Sequence, residues 1–298
     1  MYLIVFAFAL ALSYLLTPAV KRLALRFQII DIPNQRSLHQ IPMAKAGGLA
    51  IFAAFAVPVF LFIGGTGPKT LYLLLGAISI LLTGLLDDLR VIPPLGKLAG
   101  QLLAAAVLIA GGIKIGHFPE AISIPLTLFW MVGITNAVNL LDGMDGLAAG
   151  VSMICALVFM TLALFSGNIL IAVISSSLAG ACLGFLRFNF HKASIFMGDT
   201  GSLLLGYLLG AIAVIYTINS NDFPHLIIPL IVLFIPIFDT ALAILRRIIK
   251  RRPIFDADCE HFYEWLWNRR VLSYKEIVMA TYYFCFLLGL AAIYLGGI

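Results

Sequence analysis

The run AISIPLTLFWMVGITNAVNLLDGMDG, residues 121–146, decides how this chain is read. Residues 121–140 are long and apolar enough to cross a bilayer, which takes about 20 residues. The end of the run has a different character. Asn136, Asn139, Asp142 and Asp145 recur every third position, so in a helix they fall near one face. Two carboxamides followed by two carboxylates have no place against lipid, where ionised groups are costly. Gly143 and Gly146 let a ligand come close to the backbone. The competing reading is polar glue between membrane helices.

The rest of the chain repeats the pattern. It is 62% hydrophobic and 11% charged, with a mean hydropathy of +1.07. A soluble domain is nearer half apolar and about a quarter charged. Ten apolar runs read as spans, at about 2–20, 47–66, 70–86, 98–113, 121–140, 149–166, 169–187, 202–219, 226–246 and 276–297. The expectation is an all-α polytopic membrane protein forming a single integral-membrane domain over residues 1–298. No connection is long enough for a second core, and no internal repeat is visible. Seventeen of the 19 Lys and Arg residues fall in the connections after odd-numbered spans, leaving Lys69 and Lys114 on the other side. The positive-inside rule then puts those connections in the cytoplasm and both termini outside. The first run carries its basic residues, Lys21 and Arg22, after the apolar stretch, so it reads as a retained span rather than a cleaved signal.

The acids share that side. Of 14 Asp and Glu residues, only Glu120 and Asp222 fall outside. Orientation explains the basic residues but neither needs nor rewards the acids, so a one-sided acidic face points to function. Asp87-Asp88 ends the third run, where a helix dipole is already negative. Two adjacent carboxylates stay ionised only beside a cation or a basic group. They read as a divalent-metal ligand and a general base, or as a solvated helix end. Asp199, in Phe196-Met-Gly-Asp-Thr-Gly-Ser202, reads as an N-cap, a phosphate site at a helix start, or a cation ligand. Asp239 lies inside the hydrocarbon edge and reads equally as a pair with another helix. The turn-rich loop Asp31–His39 is weak evidence alone, though its Arg36 suits a phosphate. His261 stands alone in a charged loop with Asp256, Asp258 and Glu260. His117 and His225 carry no functional expectation. Cys155, Cys182, Cys285 and Cys259 show no zinc spacing, and a reducing compartment argues against a disulfide at Cys259.

Together these residues describe a cytoplasm-facing acidic cleft with metal-binding carboxylates and phosphate-friendly helix ends. That suits phosphoryl transfer between a magnesium-bound diphosphate and a lipid-borne acceptor, where catalysis is mainly positioning and charge neutralisation. In order along the chain, Asp31–His39 with Gly47-Gly48, Gly84–Asp88, Asn136–Gly146, Asn189 through Ser202, and Pro236–Thr240 resemble the bacterial polyprenyl-phosphate N-acetylhexosamine-1-phosphate transferases. These are the WecA/TagO-type enzymes and the related MraY group. The resemblance covers nearly the whole chain, and ten spans with both ends outside is similar to the MraY arrangement.

The resemblance implies transfer of a sugar-1-phosphate from a UDP-sugar to undecaprenyl phosphate, with release of UMP, at the bacterial plasma membrane. Magnesium is the implied cofactor, with manganese as the alternative. By motif, Asp87 deprotonates or positions the lipid phosphate, Asp88 assists at the metal, and Asp199 ligates it. Asn139, Asp142 and Asn189 hold nucleotide or diphosphate, and Phe196 stacks on uracil. Lys45 faces phosphate, and Asp145 belongs to the same catalytic cluster. Membrane lipid is a partner, nucleic acid is not, and a homodimer is an option. The family's last cytoplasmic loop commonly ends in a His-x-His-His run. Here it reads His261-Phe262-Tyr263-Glu264, so His261 is kept as a donor-binding residue while the identity of the sugar stays open. UDP-GlcNAc leads, with UDP-GalNAc, a deoxy-amino sugar or UDP-MurNAc-pentapeptide as alternatives. An ion-coupled transporter is the other class, but carriers tend to place such groups at the midplane between repeated halves.

Overall fold

The computed structural model describes residues 1–33, 41–63, 67–116, 118–218, 224–250, 267 and 271–297. Each of the ten apolar runs is helical over most of its described residues. The helices are α1 (Tyr2–Arg26), α2 (Gly48–Ile63), α3 (Pro68–Leu89), α4 (Pro94–Ala110), α5 (Glu120–Leu141), α6 (Leu147–Ser166), α7 (Ile169–Asn189), α8 (Gly198–Ile218), α9 (Pro224–Val232), α10 (Phe234–Ile249) and α11 (Tyr274–Leu295). Among the described residues, seven helices are long and apolar enough to cross a membrane, or eight if the bent pair α9–α10 counts as one span. The two shorter apolar helices are α2 and α4. The chain is thus an all-α polytopic membrane protein.

The apolar run expected as one span at 226–246 is two helices, bent by 72°. Pro236 supplies the reason. It lacks an N–H, and its ring crowds the carbonyl four residues earlier, that of Val232. A bare carbonyl in hydrocarbon costs several kcal/mol. Here the Cys155 thiol of α6 donates to the Val232 carbonyl at 3.1 Å.

The bundle is arranged around α8. Its apolar window is 94% buried, against 22% for α1 and 28% for α11, which turn most of their surface outward. Hydrocarbon gives no hydrophobic drive between helices, so close packing has to supply it. Glycines let α8 start very near its neighbours. A Cβ on Gly48 of α2 would collide with the Gly201 backbone, and one on Gly84 of α3 with the Asp199 carbonyl.

One element had no counterpart in the sequence reading. Residues β1 (Ile30–Asp31) and β2 (Met43–Ala44) form a short antiparallel ladder, pairing Ile30 with Ala44 and Asp31 with Met43. The ladder continues onto the segment before α8. The Phe196 N–H donates to the Ala44 carbonyl at 2.8 Å, while Gly47 and Gly48 N–H donate to the Phe196 and Met197 carbonyls at 3.0 Å. The chain makes this turn with Ala46 at φ +75°, a conformation uncommon outside glycine.

Candidate active site

A cavity of about 830 Å³ opens where α3, α5, α7 and α8 end, lined also by Asp31 and Met43 of the β1–β2 ladder and by Tyr274 of α11. Asp87, Asp88, Asn139, Asp142, Asp145, Asn189, Phe196, Lys45 and Asp199 all line it. Residues more than 100 positions apart are therefore gathered as the sequence motifs implied. His261 lies outside the described residues. Asp239 is buried on α10 and does not line the cavity.

The two adjacent aspartates of α3 have different surroundings. Asp88 faces the start of α8, where the N–H groups of a first turn lack helical partners and the dipole is positive. Its Oδ1 accepts from Asp199 N–H at 3.1 Å. Its Oδ2 accepts from Thr200 N–H at 3.0 Å and from Thr200 Oγ1 at 2.5 Å. The Asp88 side chain is only 2% exposed, with Lys45 Nζ at 3.8 Å. Asp88 thus caps α8 from another helix. The N–H groups of residues 199 and 200, which the sequence reading offered to a phosphate, are already taken. Gly198, at φ +68°, has no room for a Cβ against the Asp88 carboxylate.

Asp87 turns the other way. Its Oδ1 accepts from Ile92 N–H at 3.0 Å, and its Oδ2 is 2.9 Å from Lys97 Nζ. The same Lys97 ammonium donates to Asp199 Oδ2, so one cation bridges the two carboxylates. Asp199 Oδ1 accepts from Asn139 Nδ2 at 2.7 Å, and that amide also donates to Ser202 Oγ at 2.7 Å. Asn136, three residues earlier, has a different task. It exchanges amide hydrogen bonds of 2.8 and 3.0 Å with Gln101 of α4, the helix-glue role. The stripe read from residues 136–145 thus splits after its first member.

The turn Asp142–Gly146 supplies another part of the wall. Asp145 Oδ2 accepts from Ala193 N–H at 2.9 Å. Asn189 is 2% exposed and fully engaged, accepting from Gly146 N–H at 3.1 Å and donating to the Ile195 carbonyl at 3.0 Å. Burial, and then the charges of Asp199, Asp88 and Asp145, raise the Asp142 carboxyl well above its ordinary range. Phe196 presents a half-buried ring to the cavity while its backbone is pinned by β2 and Gly47.

Sequence reasoning missed Lys97 and Tyr274. Lys97 was counted only as an orientation charge. Its one local signal is a cation at the start of a helix soon after an acidic pair. Tyr274 gave no signal at all.

Among the described residues no cluster of three or more His, Cys, Asp or Glu side chains is set to hold a metal. Magnesium does not require one, since it keeps several waters and takes one or two carboxylates plus substrate phosphate oxygens. Asp87 and Asp199, close enough to share one ammonium, fit that role. Asp88 does not offer itself as readily, since both its oxygens serve α8.

Residues 70–217 match the family model described as glycosyl transferase family 4. The chain is 38% identical over 302 residues to the "Probable undecaprenyl-phosphate N-acetylglucosaminyl 1-phosphate transferase" of Bacillus subtilis, covering 98% of this chain and 84% of that protein. It is 36% identical to the "Decaprenyl-phosphate N-acetylglucosaminephosphotransferase" of Mycobacterium tuberculosis, covering 92% and 77%. It is 34% identical to the "Phospho-N-acetylmuramoyl-pentapeptide-transferase" of Heliobacterium modesticaldum, covering 77% and 76%. With those likenesses running almost end to end, and the motif residues meeting in one cavity at the helix ends, the chain belongs to glycosyl transferase family 4, within its polyprenyl-phosphate sugar-phosphotransferase branch.

Proposed function

We propose that this protein transfers GlcNAc-1-phosphate from UDP-GlcNAc to undecaprenyl phosphate, releasing UMP, at the cytoplasmic face of a bacterial plasma membrane. On this reading all ten apolar runs span, counting α9–α10 as one, and both termini lie outside. The observation that carries the proposal is the Asp87–Lys97–Asp199 bridge, whose two carboxylates line one cavity with Asp142 and Asp145. An ion-coupled carrier would place its acids at mid-membrane, whereas these sit at helix ends.

In the transfer, an oxygen of the lipid phosphate attacks the sugar-linked phosphorus of the donor. The P–O bond to UMP breaks, and the products are the lipid diphosphate sugar and UMP. Asp87 deprotonates or orients the attacking phosphate, and Lys97 and Lys45 offset charge beside it. The described cavity walls carry the carboxylates of Asp31, Asp87, Asp88, Asp142, Asp145 and Asp199 but only the ammonium groups of Lys45 and Lys192, with Lys97 bridging two of the acids. Phosphate and diphosphate add further negative charge, so added cations are needed. Magnesium, with manganese as a substitute, would be held by Asp87 and Asp199 and would neutralise charge on the diphosphate oxygens. Asp142 and Asn139 face the donor, Phe196 offers its ring to uracil, and Asn189 and Asp145 hold the wall in shape. Asp88 contributes by fixing where α8 and Asp199 begin.

The test is UMP release by purified protein in lipid nanodiscs with undecaprenyl phosphate, magnesium and a panel of UDP-GlcNAc, UDP-GalNAc and UDP-MurNAc-pentapeptide. UDP-GlcNAc is expected to turn over fastest. Preference for the pentapeptide donor, in line with the similarity to the third relative, would keep the chemistry and change the substrate. No UMP from any of the three would end the transferase reading.

A further inference from the structure

Helix α11 packs mainly with α6 and α9 and turns most of its apolar surface outward. Two tyrosines on α11 break that pattern by pointing into the protein. The Tyr274 hydroxyl accepts the Asp145 backbone N–H and lines the cavity. The Tyr282 hydroxyl, two turns further on, donates to the Gly146 carbonyl at 2.5 Å.

A buried tyrosine hydroxyl needs some partner, so either bond alone means little. The two together mean more, because both partners are backbone groups of consecutive residues in the turn that carries Asp142 and Asp145. Gly146 takes φ +77° there. Its N–H is held from α7 by Asn189 at 3.1 Å and its carbonyl from α11 by Tyr282, so the residue is held at both of its backbone polar groups. Gly150 is cut away to admit Tyr282, since a Cβ there would overlap the phenol ring. At the other end, Ser273 and Glu276 form a capping box immediately around Tyr274, with bonds of 2.7 and 3.4 Å.

We propose that Tyr274 and Tyr282 are positioning residues that hold the Asp142–Gly146 turn against the donor, and that their two hydrogen bonds set donor affinity. This inference rests on the transferase reading. It separates donor from acceptor, because the turn carries Asp142, assigned above to the donor, whereas Asp87 is assigned to the lipid phosphate.

The test uses the full chain in nanodiscs and whichever UDP-amino sugar the wild-type protein turns over. Tyr274→Phe is expected to raise the donor KM about fivefold, the equivalent of one ordinary hydrogen bond. The KM for undecaprenyl phosphate and the unfolding temperature should stay as in wild type. Tyr282→Phe should act in the same direction. The double variant should raise the donor KM by less than the product of the singles, because both bonds hold one turn. Donor and acceptor KM rising together, or a fall in unfolding temperature with donor KM unchanged, would show a merely structural role and overturn the proposal. If either variant fails to fold, the other carries the test from its own end of the turn. Should wild type release no UMP, the transferase reading fails separately. The clamp is then judged by calorimetric binding of UDP-GlcNAc, which both variants must weaken; no binding by wild type would remove it as well.

Discussion

Replacing Asp88 by Asn separates two roles that its neighbour Asp87 makes easy to confuse. The carboxylate accepts three hydrogen bonds from the first turn of α8, two from backbone N–H groups and one from the Thr200 hydroxyl. An asparagine has one acceptor oxygen. If that oxygen keeps the Thr200 pair, the amide nitrogen is set against Asp199 N–H at a site 2% exposed to solvent. One charge-assisted bond, about 1.5–3 kcal/mol, is lost and a buried donor is left facing another. The two surviving bonds weaken by about 1 kcal/mol each on losing the charge, and the helix dipole loses about another 1 kcal/mol. Relief from keeping a carboxylate buried returns part of this, leaving a net loss of about 2–4 kcal/mol. Asp88→Asn should therefore unfold at clearly lower temperature in nanodiscs and lose turnover in parallel. Thr200→Val, which removes only the hydroxyl bond, should fall between it and wild type. Wild-type thermal stability with turnover abolished in Asp88→Asn would refute the argument, and would place Asp88 at the metal instead.

Asp199→Asn should lower kcat by about 100-fold or more, the scale for removing one preorganised charge contact, with unfolding little changed. Near-normal turnover would refute its role in binding the metal. Chelation of divalent cations by EDTA should stop UMP release, and added magnesium or manganese should restore it; turnover that survives chelation would remove the metal from the reading. Gly84→Ala should fail to yield folded protein, because its Cβ would overlap the Asp199 carbonyl, and recovery of stable, active material would show that α3 and α8 can separate. Ala46→Gly should be neutral or stabilising by up to about 1 kcal/mol, since φ +75° suits glycine, while Ala46→Val should destabilise. The two unfolding temperatures check the sign.

Much of the site was legible before any coordinates. The acids and amides at 87, 88, 139, 142, 145 and 199 stand at the ends of apolar runs, where a polar group near hydrocarbon needs a reason, and the structure brings them to one cavity together with Asn189, which the family resemblance pointed to. What stayed hidden is what adjacent residues do differently. Asp87 and Asp88 are neighbours on a helix, and the roughly 100° between them sends one toward Lys97 and the other into α8. Asn136 and Asn139 share a stripe, yet one meets Gln101 and the other Asp199.

Sequence alone determined the class, the helical runs and the acids at their ends, because hydrophobic length and the cost of charge near hydrocarbon are properties of local composition. The tertiary structure decided which groups touch. Lys97 reaches Asp199 across 102 positions, and Tyr274 reaches Asp145 across 129. Such pairs leave no periodic trace in a chain. They exist because helices packed through glycine around α8 bring their ends to one point, and helix packing sums contacts over the whole bundle.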